Sequence, residues 1–336
     1  MEKDFENTET ANKDQIQENV DLPPLTDDSN ELKEANSASD ENDVSHEAAS
    51  ETDAPFFSSK TSKSKNPPPI KPRLHSIENY IRDNKYYDMT HKKRGIALVI
   101  NHFQFKSMSS RNGTYKDLER VQNSLKKLDF EVIVKNELKY SEVKKTIEEV
   151  SQMDHSNNDC FVCVIMTHGD KDTLWAYDKK YPVEHLYEPF YGDQCQSLIG
   201  KPKLFFIQAC RGQKVAEPVQ VRSLTMDYID SSAESEKAIT YSIPSMADLL
   251  VMYSTYEGHY SFRNPDTGSF FIQSLCTELD LNGKIDDLLT ILTAVSRRVA
   301  YEYQSNIPGN PKMHEKKQMP TIVTMLTKIL YFTPKQ

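Results

Sequence analysis

Leu204 to Ile207, within "KLFFIQACRGQ" (203–213), form an uninterrupted apolar run that stops on Gln208, Ala209, Cys210, Arg211 and Gly212. A strand that is apolar at every position is stable only when both of its faces are covered, which places it inside a sheet sandwiched between helices. The same texture recurs in "GIALVIN" (95–101), "CFVCVIMT" (160–167) and "DLLVMYST" (248–255), with further strand patterns at "FEVIVKN" (130–136) and "TIVTML" (321–326). Between them lie helical patterns. "TYKDLERVQNSLKKL" (114–128) puts Leu118, Val121, Leu125 and Leu128 on one face, and "SEVKKTIEEVSQM" (141–153) turns Val143, Ile147 and Val150 inward behind a Ser141 cap. A short helix is expected at 181–190, another around 269–279 and a long one over 286–303. Strands alternating with helices require right-handed crossovers, so the expected fold is α/β, with a mainly parallel sheet and helices on both faces.

The packed domain starts near Tyr86. Residues 1–55 carry seventeen Asp or Glu against three Lys or Arg and show little apolar periodicity, so they read as an acidic disordered leader. Residues 56–85 form a linker whose first part, "FFSSKTSKSKNPPPIKPRLH" (56–75), is basic and proline-rich. The overall charge of −9 therefore belongs to the leader. The small, scattered excess of basic residues after it gives no footprint for nucleic acid. With no apolar signal core and no long apolar run, neither secretion nor a membrane span is expected, and a cytoplasmic location follows. Five cysteines, an odd number, suit a reducing compartment better than a disulfide framework. The polar stretch 213–243 is too long for a passive connection inside a compact domain and calls for a functional reason.

In parallel α/β sheets ligands bind beyond the carboxyl ends of the strands. Two strands here end on reactive groups, one at His168-Gly169 in "IMTHGD", the other at Cys210 in "IQACRG". If the two are neighbours, an imidazole meets a thiol, the pairing that makes a cysteine nucleophile with an acid/base partner. Cys160 and Cys163 are three apart within a strand, hence on opposite faces, and read as packing residues rather than a metal or redox pair. No partner is argued for Cys195 or Cys276.

The "QACRG" motif with an upstream histidine resembles the caspase signature. The resemblance extends from Tyr86 to Phe332 through "SSRNGT" (109–114), "HSNNDCFVCVIMTHGD" (155–170), "SLIGKPKLFFIQACRG" (197–212), "YSTYEGHYSFRN" (253–264) and "GSFFIQSLC" (268–276). It looks most like the executioner branch in insect or related invertebrate form. It implies a three-layer caspase-like fold around a central, mainly parallel six-stranded sheet, and a cysteine endopeptidase that cuts proteins after Asp and needs no cofactor or metal. Cys210 would be the nucleophile and His168 the acid/base, with a backbone carbonyl rather than an acidic residue orienting the imidazole. The N–H groups of Cys210 and Gly169 would form the oxyanion hole. Arg111, Gln208 and Arg263 match the pocket for the substrate aspartate. Ser261 to Arg263 match the strand that pairs with substrate, and Tyr260, Phe262, Asn264 and Phe270 match the lining of the neighbouring subsites. Executioners usually carry Trp where Phe262 and Phe270 stand, so a larger and less polar subsite is expected here.

The resemblance also gives the long loop a purpose. "DYID" (227–230) before Ser231 is a cleavage site that would divide a zymogen into a large subunit, 86–230, and a small one, 231–336. "SETD" (50–53) and "DEND" (40–43) place further candidate cuts after Asp53 and Asp43. An amino terminus at Ala54, with Pro55 second, resembles the tetrapeptides bound by inhibitor-of-apoptosis domains. "TIVTML" resembles the family's dimer strand, so a homodimer of large/small pairs is expected, activated by an upstream initiator caspase. Three other readings compete: a catalytically weak homologue acting as a regulator, a cysteine peptidase preferring basic residues, and a nucleotide-binding protein. The intact set Cys210, His168, Arg111, Gln208 and Arg263 disfavours the first. The two arginines disfavour the second, and the lack of a Gly-rich phosphate loop disfavours the third.

Overall fold

The computed structural model describes residues 84–218 and 243–335. The expected acidic leader, most of the linker, the cleavage aspartates Asp43, Asp53 and Asp230, and Ala54 lie outside the described residues. In chain order the main elements are β1 (Ile96–Asn101), α1 (Thr114–Lys127), β2 (Glu131–Asn136), α2 (Tyr140–Ser151) and β3 (Phe161–Met166). A small antiparallel sheet follows, β4 (Gly169–Asp170), β5 (Thr173–Trp175) and β6 (Lys180–Pro182). Then come β7 (Lys203–Gln208), β8 (Leu249–Tyr253), the ribbon β9 (Arg263–Asn264) and β10 (Gly268–Ser269), α3 (Phe270–Asn282), α4 (Leu288–Glu302) and β11 (Thr321–Thr324).

The central sheet has six strands in the order β11-β8-β7-β3-β1-β2. Five run parallel and β11 runs antiparallel at one edge. The alternation of side chains divides the core in two. Ala97, Val99, Val162, Val164, Leu204, Phe206, Leu250 and Met252 face one layer with Val121 and Leu125 of α1, Leu275 of α3 and Leu292 of α4. Leu98, Ile100, Phe161, Ile165, Phe205, Ile207 and Val251 face the other with Val143, Ile147 and Val150 of α2. Cys160 packs in the first layer and Cys163 in the second, as their spacing requires. None of the five cysteines is joined in a disulfide.

Two local expectations are corrected. Ser141 does not cap α2: the helix begins at Tyr140, and the carboxylate of Glu142 accepts the Lys139 N–H at 2.8 Å. A carboxylate in the first turn does this work and also favours the positive helix end. The stretch 181–190 is not one helix but two 3-10 turns, Val183–Leu186 and Glu188–Phe190. Pro189 breaks the run by withholding an N–H. At the amino-terminal end of the strands, Arg94 and Asp159 form a fully buried ion pair at 2.8 Å. Arg94 also donates to the Leu128 and Thr333 carbonyls and Lys335 adds a second cation to Asp159, so the carboxyl-terminal tail is tied across residues 89–94.

Candidate active site

β3 and β7 are adjacent and parallel, with Met166 opposite Gln208. Two residues further along each chain come His168 and Cys210, so the sheet register itself brings imidazole and thiol to one carboxyl edge. The Thr167 N–H, donated to the Gln208 carbonyl, keeps the two chains paired past the end of the ladder. Gly169 lies directly against the cysteine. A Cβ there would sit 2.7 Å from the Cys210 carbonyl oxygen and 2.9 Å from the Ala209 Cβ, so only glycine lets the chains approach this closely.

His168 is nearly buried and its Nε2 lies 2.9 Å from the Ser109 carbonyl. A carbonyl can only accept, so Nε2 carries the proton and Nδ1 is left as the basic nitrogen. Phe105 tilts over the ring at a centroid distance of 4.6 Å. Burial, followed by the charge of Arg111 and in smaller part that of Arg263, pushes the His168 pKa down to about 3. The imidazole is therefore neutral in this arrangement.

One cavity, of about 20 Å³, is lined by Arg111, Thr167, His168, Gln208, Ala209, Cys210, Ser261 and Arg263. That is room for about one water. Arg111 is buried, and its Nη1 donates to the His102 carbonyl and to Thr114 Oγ1, each at 2.9 Å. Thr114 in turn donates to Asn101 Oδ1 at 2.6 Å, so the guanidinium is oriented by a chain of bonds reaching back to the end of β1. Arg263 donates from Nε to the Asn112 carbonyl at 2.7 Å, and Gln208 donates to Ser261 Oγ at 2.9 Å. The Cys210 thiol is partly exposed and faces the backbone of Ser261, donating to its carbonyl at 3.7 Å, with the Ser261 N–H 3.4 Å from Sγ.

The residues matched to neighbouring subsites are placed differently from one another. Asn264 caps the β9–β10 turn by accepting the N–H groups of Asp266 and Thr267. The half-buried Tyr260 hydrogen-bonds through its N–H to the Lys214 carbonyl. Phe262 and Phe270 are 1% and 4% exposed and pack on each other and on Tyr303. Both rings therefore turn into this cluster and not toward solvent. With no indole donor needing a polar partner, each ring gains more by packing inward than by lining open solvent.

Other residues at the site escaped the sequence reading. Ser109 acts through its main chain, which no side-chain pattern marks, although "SSRNGT" contains it. Asp117 is fully buried beneath the pocket, accepting the Ser269 N–H at 2.8 Å, within the field of both Arg111 and Arg263. Gln318, also buried, bonds the Phe262 N–H.

Residues 94–331 match the Peptidase_C14 caspase-domain family model. The chain is 44% identical over 252 residues to caspase drICE of Drosophila melanogaster, covering 74% of this chain and 73% of that protein. It is 40% identical over 249 residues to caspase-7 of Gallus gallus, covering 73% and 79%. It also aligns with the crystal structure of caspase-1 from Spodoptera frugiperda, at a TM-score of 0.70 and 40% identity, covering 76% of this chain and 96% of that one.

Proposed function

The chain belongs to the caspase family and is a cysteine-type endopeptidase, and we propose that it cleaves proteins after aspartate as an executioner of apoptosis, made as a zymogen. The observation that carries this reading is the single cavity shared by a thiol, an imidazole, two arginines and a glutamine. Cys210 gives its thiol proton to His168 Nδ1 as Sγ attacks the carbonyl carbon of the scissile bond, and the N–H groups of Cys210 and Gly169 receive the oxyanion. His168 delivers a proton to the leaving amine as the C–N bond breaks, leaving a thioester on Cys210. It then takes a proton from water, which attacks the thioester and releases the carboxylate product and the thiol.

Arg111, Arg263 and Gln208 receive the substrate aspartate, a carboxylate that needs paired donors when buried. Together with burial, the larger cause, the same arginines hold the His168 pKa down. A carboxylate seated between them offsets their charge, so recognition of aspartate raises the proton affinity of the acid/base at the moment it is needed. Ser261 to Arg263 take the substrate backbone as an added strand. Tyr260, Phe262, Asn264 and Phe270 border the subsites beyond it.

Activation is proposed through cleavage after Asp230 by an initiator caspase, separating residues 86–230 from 231–336, with leader removal after Asp53 and a candidate cut after Asp43. Binding of an inhibitor-of-apoptosis domain to an Ala54 terminus is part of the same proposal. β11 is the terminal strand of the sheet and Val323 is 44% exposed, which supports a homodimer closed across that edge. No helix among the described residues is long and apolar enough to cross a membrane, and a cytoplasmic location is proposed. Hydrolysis of a fluorogenic Asp-Glu-Val-Asp peptide, beside Cys210→Ala and an Asp→Asn peptide, tests the reading. Turnover lost in both controls is expected. No turnover after the loop has been cut at Asp230 would instead favour a regulatory homologue.

A further inference from the structure

Gln318 stands between α4 and β11, far in sequence from the reacting groups, yet it is only 2% exposed. Burying a carboxamide is unfavourable unless both of its ends are bonded. Both are: Oε1 accepts the Phe262 N–H at 2.6 Å, and Nε2 donates to the Ser254 carbonyl at 2.8 Å. Ser254 in turn bonds through its hydroxyl to both the N–H and the carbonyl of Ala209, the residue before Cys210.

In an extended chain successive backbone N–H groups point to opposite sides. Taking the Phe262 N–H inward therefore turns the backbone groups of Ser261 and Arg263 outward, and the Ser261 N–H does face Cys210 Sγ. The residues beside Gln318 hold the segment that follows Cys210. Lys317 donates its N–H to the Ala216 carbonyl, and Lys316 pairs with Glu217 at 2.7 Å. On its other side that segment is held by Lys214, which bonds Gly258 and Tyr260. Gln318 is thus the buried joint where the chain after the nucleophile, the end of β8 and the segment at 260–263 meet.

Resting on the reading of Ser261 to Arg263 as the substrate strand, we infer that Gln318 is a positioning residue that fixes which backbone groups of this strand face the peptide. It touches neither substrate nor reacting atoms and acts through Phe262. Gln318→Leu keeps the approximate volume and removes both bonds. Gln318→Glu keeps the acceptor for Phe262 but turns a second acceptor toward the Ser254 carbonyl until it is protonated.

The test is steady-state hydrolysis of the Asp-Glu-Val-Asp peptide by the processed protein, with kcat taken per titrated active site and thermal unfolding followed alongside. Gln318→Leu is expected to raise KM roughly tenfold, about the cost of one lost buried hydrogen bond, with kcat within about twofold. Gln318→Glu is expected to show a raised KM at neutral pH whose ratio to wild type falls as the pH is lowered, because protonation restores the donor to Ser254. Protonation would also relieve a folding defect caused by a buried carboxylate, but that defect changes the number of active sites and not their KM. An unchanged KM in both variants, or a loss confined to the number of active sites, would overturn the role. An inactive wild-type protein would instead count against the substrate-strand reading. Hydrogen exchange at the Phe262 amide then decides the positioning: selective acceleration in Gln318→Leu supports it, and unchanged protection overturns it.

Discussion

Arg111→Gln in the processed protein isolates the charge that the pocket offers to the substrate aspartate. Arg111 is 1% exposed, and its Nη1 is held by the His102 carbonyl and Thr114 Oγ1, so its orientation is set before substrate arrives. A carboxylate about 4 Å from the guanidinium, at an effective dielectric constant of about 20, gains about 4 kcal/mol. A glutamine at this position returns about 1 kcal/mol through one neutral hydrogen bond. The net loss of about 3 kcal/mol is roughly a 150-fold fall in kcat/KM for a peptide ending in aspartate. For the matching asparagine peptide the charge contribution vanishes and only about 1 kcal/mol, roughly fivefold, is lost. The two peptides and two proteins form a double-mutant cycle with an expected coupling of about thirtyfold. Fluorogenic hydrolysis supplies the four kcat/KM values, and active-site titration removes any misfolded fraction. Equal losses for the two peptides, within about threefold, would refute the reasoning: Arg111 would then support the fold around the cavity without reading the carboxylate.

Three further outcomes follow from the same geometry. Burial raises the Asp117 pKa to about 6, against the opposing Ser269 N–H and the charges of Arg111 and Arg263. A carboxyl raised this way stabilises the fold fully below about pH 4 and loses that contribution as pH rises through about 6. Asp117→Asn should therefore add on the order of 2–3 kcal/mol at pH 7.5 and little at pH 4, and denaturant titrations that give a pH-independent difference would contradict it. Gly169→Ala would drive a methyl group to 2.7 Å from the Cys210 carbonyl oxygen; a displacement of this kind should cost roughly a hundredfold in kcat with the fold retained, and an active variant would place the oxyanion site elsewhere. Val323→Lys on the exposed face of β11 should shift the protein from dimer to monomer in sedimentation, while an unchanged dimer would move the interface off this edge.

The parts of the architecture that depend on apolar pattern were legible in the sequence. Runs such as "CFVCVIMT" and "KLFFIQAC" have nowhere to go except the middle of a covered sheet, and their carboxyl ends carry His168 and Cys210 into one cavity. Arg111 and Arg263 were legible only through the motifs around them, since an isolated arginine is usually at the surface. What escaped was of two kinds. Main-chain roles, such as the Ser109 carbonyl on His168, leave no side-chain signal. Long-range polar pairings, such as Gln318 with Phe262 across 56 residues or Asp117 with Ser269 across 152, depend on tertiary approach that no periodicity encodes. The cap of α2 failed for a smaller reason. A serine caps only from the position just before a helix, whereas this helix already begins at Tyr140 and leaves Ser141 inside its first turn.

The arrangement of Cys210 and Ser261 bears on how such a site could be held in check. The thiol takes up both the carbonyl and the N–H of Ser261, the residue that opens the proposed substrate strand. An incoming peptide backbone would have to compete for those groups. The cavity between the arginines has room for about one water, and Phe262 and Phe270 close on Tyr303 where further substrate side chains would lie. Each of these contacts is weak alone, and together they narrow the space between the arginines and the thiol. The segment carrying Ser261 and Phe262 is tied to the segment after Cys210 through the Lys214–Tyr260 bond, and more remotely through Gln318 and its neighbour Lys317. That segment continues in the chain toward Asp230, which lies outside the described residues. If the proposed cleavage after Asp230 occurs, the hydrogen bonds at Lys214, Ala216 and Gln318 are the links through which a change in the segment after Cys210 would bear on Ser261.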